Sequence, residues 1–294
     1  MHSCKSIIVI LMLLAINIGC ASHVELKILK SGIRNWNKWR EENKLVRPDL
    51  RGAQLDSADL RGAFLGRADL DSADLRGAIL EKATLTYADL RGAHLDSANL
   101  QGANLDSADL RRTVLRGTDL DSANLRGARL DSADFRGAFL WGADLEGAGL
   151  RRAWLEKATL IGVDLRGADL TNADLREAYL KGADLRRADL REACLEGAHL
   201  DSANLQEANL GGADLREANL RGVNLDGANL NEVKSFYKTK LDQDILSEIK
   251  AYWPEKLATF WDYGRKNWGI DDTLLKRIKK PDWYGWPEEK EQGK

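Results

Sequence analysis

A chain of 294 residues with 44% hydrophobic content is long enough to bury a core, which excludes disorder as its main state. Its 44 Lys and Arg stand against 46 Asp and Glu, a formal net charge of −2, so no overall excess of either sign points to nucleic acid or to an acidic ligand. The 26 Gly beside only 4 Pro, 5 Phe, 6 Tyr and 2 Met, with apolar content carried mostly by Leu and Ala, mark an internal repeat.

The N-terminus carries Lys5, then an apolar run from Ile7 to Ile18 broken at Asn17, then small residues, which is the three-part layout of a secretion signal. The run is too short to cross a bilayer as a helix, which takes about 20 residues. Gly19-Cys20 resembles a bacterial lipoprotein box, which implies lipid on the Cys20 thiol, although Asn17 stands where a branched apolar residue is usual. Ordinary cleavage before Ser22 and an uncleaved extension of a cytoplasmic chain are the alternatives. Residues 1–21 are therefore expected to be a leader, and the mature protein to be exported, periplasmic or held at a membrane only through an N-terminal lipid. Cys4, Cys20 and Cys194 lack metal-type spacing, and His2, His23, His94 and His199 are scattered, so no metal site, disulfide framework or cofactor is expected.

From Leu50 to Leu230 every fifth residue is Leu except Phe135, and from Ala53 to Ala228 the residue two before each is Ala except Thr113, Thr118, Val163 and Val223. An α-helix would spread a period of five around its circumference, and a flat strand would alternate faces at period two. A chain that turns a corner after every five residues puts each Leu and each Ala inside. Four such units close a coil of 20 residues, and coils stacked about 4.8 Å apart give a rod of about nine coils and about 43 Å. Gly fills 17 of the 36 positions two after the Leu, from Gly52 to Gly227, which fits corners that need positive φ or close approach.

These units resemble the pentapeptide repeat family. The resemblance implies an all-β solenoid, a right-handed quadrilateral β-helix, over residues 48–233. The segment Ile28–Asn43 ahead of Arg47-Pro48-Asp49-Leu50 also resembles the lead-in of many bacterial members, and it predicts a capping helix within 22–47 whose Trp36 and Trp39 cover the open end of the stack. Residues 234–294 read as a small α-helical segment, with apolar residues at helical spacing through Leu241, Ile245, Leu246 and Ile249. It holds Trp253, Trp261, Trp268, Trp283 and Trp286, and serves either as a second cap or as a recognition module.

Coils of 20 make residues 20 apart neighbours. The column Asp56, Arg76, Asp96, Arg116, Arg136, Glu156, Arg176, Glu196, Arg216 alternates in sign except at Arg116/Arg136, so a ladder of ion pairs between coils is expected along it. Asp recurs before Leu because the unit recurs, with a short side chain able to bond the local backbone, and not as paired catalytic carboxylates. No nucleophile elbow, zinc motif, phosphate loop or dinucleotide fingerprint occurs, so no catalytic residue is expected.

Outward positions are mostly polar, which makes the apolar exceptions Phe139, Trp141, Ile161 and Tyr179 on one face, with Ile79 on the same face and Trp154 on the adjoining one, the candidate interaction surface. The expected function is a non-enzymatic scaffold binding an unidentified protein partner, with association between copies of the chain left open. A second reading comes from the quinolone-resistance members of the family, which imply DNA mimicry toward a type II topoisomerase. Residues 50–230 carry 23 Lys and Arg against 30 Asp and Glu, a net of −7. A duplex carries one charge per about 1.7 Å, so a mimic of this length should show far more. A polysaccharide-binding β-helix is the third reading, with no carboxylate pair standing out from the repeat.

Overall fold

A computed structural model describes residues 23–230, 232–234 and 239–241. The expected leader, Cys20 included, and nearly all of the expected C-terminal helices and their five Trp lie outside the described residues.

One pentapeptide shows how every backbone N–H is satisfied. Leu75 N–H donates to the His94 carbonyl at 2.8 Å, Gly77 N–H to Asp96 at 2.9 Å and Ile79 N–H back to Ala58 at 2.9 Å, so three donors tie this coil to its two neighbours. Ala78 N–H donates to Leu75 at 3.0 Å and closes the corner turn. The fifth donor, Arg76 N–H, points to no carbonyl and finds Asp74 Oδ1 at 3.3 Å. Asp or Asn thus recurs before Leu because its side chain takes the one N–H that neither turn nor ladder can use.

Repeating this unit produces parallel bridges between residues 20 apart in four columns, which begin at Asp49, Gln54, Asp59 and Phe64. We call the four sides faces 1 to 4 in that order. The bridges are isolated and not extended strands because the chain turns a corner after each one. From Gly52 to Glu232 every fifth residue has φ between 54° and 72°. Positive φ at the third residue of a turn defines type II corners. Only 17 of these 37 residues are Gly. Ser57, Tyr87, Glu177 and others accept the left-handed region, at about 1–2 kcal/mol each, because the ladder on both sides holds them there.

Inside, the Leu and Ala columns are buried along the rod except at its ends, where Ala58, Ala228 and Leu230 are partly buried, and Phe135 sits fully buried at a Leu position. Thr113 and Thr118 replace Ala in the core without stranding a hydroxyl, since their Oγ1 atoms donate to the carbonyls of Leu90 and Leu95 at 2.8 and 2.7 Å.

Ahead of the coils the chain forms two helices where the sequence suggested one, α1 (His23–Lys30) and α2 (Ile33–Glu42). The break falls at Ser31-Gly32, where Gly32 has φ 117° and Ser31 Oγ donates to the Ile28 carbonyl. α2 lies on the edge of the first coil, whose polar groups have no preceding coil to pair with. Trp36, fully buried, donates its Nε1 to the Phe64 carbonyl at 3.0 Å, and Asn37 Oδ1 accepts the Phe64 N–H at 2.9 Å. Trp39 packs on Trp36 at 5.3 Å between ring centroids and is only half-buried. Arg40 donates to the carbonyls of Phe64, Val46 and Gly66 at 3.2, 2.7 and 2.9 Å. At the far end Lys240 joins the face 3 column beside Asn219.

Candidate functional site

The two outward side chains of each unit, one before and one after the Leu, leave the same side of the chain. Where they are Asp and Arg they close on each other. All eleven Asp-Leu-Arg and Asp-Phe-Arg triplets of the repeat do so, with Arg Nε 2.7–2.9 Å from Asp Oδ1 and Arg Nη2 2.5–2.8 Å from Oδ2. This corrects the expected ladder between coils. Along the predicted column only Arg176–Glu156 at 3.7 Å and Arg216–Glu196 at 2.8 Å pair as foreseen, while Arg76 turns to Asp74 at 2.5 Å and Arg116 to Asp134 at 2.6 Å. A partner two residues away on the same chain lies within reach of a planar two-point fork, which a neighbour one coil away offers less squarely.

The fork with Arg76 holds the Asp74 carboxyl down at about 2. A carboxyl depressed in the folded state contributes stability that is present above its unfolded value, near 4, and is lost as pH falls toward 2. Asp49, Asp59, Asp184 and Asp189 are lowered in the same direction by their own Arg forks. Acid titration followed by circular dichroism should therefore show no loss of stability down to pH 4 from these groups and a progressive loss from there toward pH 2.

The forks are unevenly spread. Faces 1 and 2 carry four each and face 4 two, whereas face 3 carries only Asp59–Arg61 among the described residues. Beyond that rung, face 3 holds Phe139, Trp141 and Tyr179, which are 49%, 58% and 45% exposed, with Ile161 half-buried beside Trp141. Large apolar groups this exposed, gathered on one side of a charged rod, form a docking-type surface. The bridges Phe139–Thr159–Tyr179–His199 place these residues on consecutive rungs of one column. The corner beside Trp141 and Ile161 is lined by Gly142, Gly162 and Gly182, which leaves it without side chains. With Phe139 in the place of Asp, Trp141 N–H has no local acceptor and takes Asp121 Oδ1 of the preceding coil at 2.8 Å.

The structure thus joins Phe139, Trp141, Ile161 and Tyr179 and leaves Trp154 on face 2, under the Arg136 guanidinium at 5.2 Å. Ile79 shares the column three rungs from Phe139, across Asn99 and Asp119. Sequence reasoning missed His199, whose ring stacks on Tyr179 with centroids 4.9 Å apart and planes 4° from parallel. The spacing of 20 residues was the signal that could have found it.

Two groups of possible metal ligands converge, Cys194/Glu196/Asp214 and Asp144/Glu146/Asp164. A guanidinium already stands in each: Arg216 donates to Glu196 and Asp214, and Arg166 to Glu146 and Asp164. The positive charge that a cation would supply is present.

A coil of pentapeptides with Leu and Ala inside and type II corners defines a solenoid of the quadrilateral β-helix class. The family model "Pentapeptide repeats" matches residues 49–86, 88–127, 123–162, 164–201 and 198–234, and the chain belongs to that family, whose fold is a right-handed quadrilateral β-helix. Similar solved structures include HetL, a pentapeptide repeat protein involved in heterocyst differentiation regulation from the cyanobacterium Nostoc. It is 32% identical over 69% of this chain and 93% of that one, with TM-score 0.49. QnrB1, a plasmid-mediated fluoroquinolone resistance protein, is 19% identical over 60% and 90%, with TM-score 0.46. A pentapeptide repeat protein of the Arabidopsis thaliana thylakoid lumen is 32% identical over 43% and 77%, with TM-score 0.24. No curated protein matches the chain.

Proposed function

We propose that the protein is a non-enzymatic, exported interaction scaffold of about nine coils, closed at its N-terminal end by α1 and α2, that engages a protein partner through face 3. One observation carries this reading: three aromatic side chains stand exposed on the one face whose polar forks are missing beyond its first rung. Partners anchor on such residues because aromatic groups bury much apolar area at little entropic cost. Mimicry of DNA is the less favoured reading, since eleven of the carboxylates are tied into forks with Arg and present no row of free charge.

The test is to express the full chain in a bacterial host, fractionate the cells, and determine the intact mass and bound proteins of the product. The expected result is a processed chain in the envelope fraction, lipid-modified at Cys20 or cleaved before Ser22, with a partner that Trp141→Ala/Tyr179→Ala fails to retain. An unprocessed cytoplasmic chain would remove export. Unchanged partners on the double variant would remove face 3 as the contact.

A further inference from the structure

Face 3 is complementary to itself. Its ten rungs run in register from Asp59 to Lys240, so the order of the outward residues along the rod is known rung by rung. Consider two copies laid face to face and antiparallel, with the two-fold axis crossing the face midway between the Phe139 and Thr159 rungs. Such an axis brings each column onto itself with the rungs reversed. Trp141 then meets the partner's Ile161, and Phe139 the partner's Thr159. One rung further out Asp121 faces the partner's Lys181, then Gln101 faces the partner's Asp201, and then Glu81 faces the partner's Arg221.

From Glu81 to Arg221 every charged residue of that column meets an opposite charge or an amide, while at the end of the column Arg61 meets the partner's Leu241 and in the other column Asp119 meets the ring of the partner's Tyr179 and Asp59 the partner's Lys240. The agreement is particular to this register. Sliding the partner one rung one way sets Asp121 against the partner's Asp201. Sliding it one rung the other way sets Arg61 against the partner's Arg221 and Glu81 against the partner's Asp201. The parallel arrangement sets Asp119 against the partner's Asp121. Like charges placed together penalise all three. Lys181 and Arg221 are exposed and make no ion pair among the described residues, so they are available.

We propose that the occupant of face 3 is a second copy of this chain, in an antiparallel isologous dimer centred between Phe139/Trp141 and Thr159/Ile161. The inference rests on the reading of face 3 as a docking surface and names what docks there. Ten rungs about 4.8 Å apart and roughly 10 Å of extended chain per side make a narrow face. The pair therefore covers about 900 Å² in total, below the usual range of stable specific interfaces and in that of weak, reversible association.

The experiment is sedimentation velocity on the full chain across the micromolar range. The wild type should dimerise with concentration. Asp121→Lys and Lys181→Asp should each weaken the dimer by at least about tenfold, because the contact occurs twice per dimer. Mixed in equal amounts, the two variants should associate with each other, since one contact is then the wild-type Asp121–Lys181 pair, each variant keeping the residue the other has changed, and the second is the same pair with its signs exchanged. That recovery cannot come from misfolding. Asp121→Asn, which keeps an acceptor for Trp141 N–H, should also weaken the dimer. A wild type that stays monomeric throughout, a dimer indifferent to both charge reversals, or variants that ignore each other in the mixture would overturn the proposal. Trp141-dependent retention of another protein by a monomeric wild type would remove the dimer and keep the scaffold reading. Loss of both would remove both.

Discussion

Phe135→Ala should cost about 3–5 kcal/mol of stability. Phe135 is fully buried in the face 2 column between Leu115 and Leu155, where every neighbouring inward residue is also buried, so the backbone ladder above and below cannot close around the space left by the ring. A solenoid holds itself together through contacts between adjacent coils alone. The cavity therefore weakens the one junction through which the N-terminal and C-terminal halves of the rod communicate. Urea denaturation followed by circular dichroism should show a lower midpoint and, if that junction becomes the weakest in the stack, separation of one transition into two. Phe135→Leu, which restores the residue of the repeat, should recover most of the loss. An unchanged midpoint for Phe135→Ala would mean that the core relaxes around the site.

Arg40→Met should cost about 3 kcal/mol, in the range for leaving buried acceptors unpaired, and its effect should be confined to one end of the rod. Arg40 is a buried cation with no carboxylate partner among the described residues. Its guanidinium instead spreads over the carbonyls of Phe64 and Gly66, on the edge of the first coil where no earlier coil exists to bond them, and of Val46 in the segment leading into that coil. Burial lowers its affinity for a proton, yet an arginine stays charged under all ordinary conditions. Arg40→Lys should be nearly as harmful, because a single ammonium cannot reach the three carbonyls that Nε, Nη1 and Nη2 each bond separately. Hydrogen exchange should show the first coil, Leu50 to Leu65, opening sooner in either variant while coils near Leu150 keep wild-type protection. Uniform acceleration along the rod would indicate that the N-terminal helices do not act as an end closure.

Much of this was legible in the residues taken alone. The five-residue period from Leu50 to Leu230, with Phe135 its one departure from Leu, leaves no other way to turn these side chains inward, and a coil of 20 residues follows from it. The same spacing by itself places Phe139, Trp141, Ile161 and Tyr179 on one face. The pairing of charges was misjudged, because a one-letter column shows which residues are neighbours between coils but not that Asp74 and Arg76, two apart on one chain, meet in a fork. The N-terminal break was also hidden: Ser31-Gly32 could have been tolerated within a single helix, and only the fit of α2 to the open edge of the first coil required the chain to turn there.

What the amino-acid sequence determined by itself is the repeat, its inward and outward positions, and hence the solenoid, because periodicity is a local property that each unit repeats. What only the tertiary structure decided is which polar groups satisfy each other and which are left over. Asp121 accepts the Trp141 N–H only because the coils stack, His199 stacks on Tyr179 for the same reason, and face 3 stands apart only when the forks of all four faces are laid side by side. Hydrogen bonds and ion pairs are settled by distance and direction in space, and those quantities come into being when the chain closes its coils.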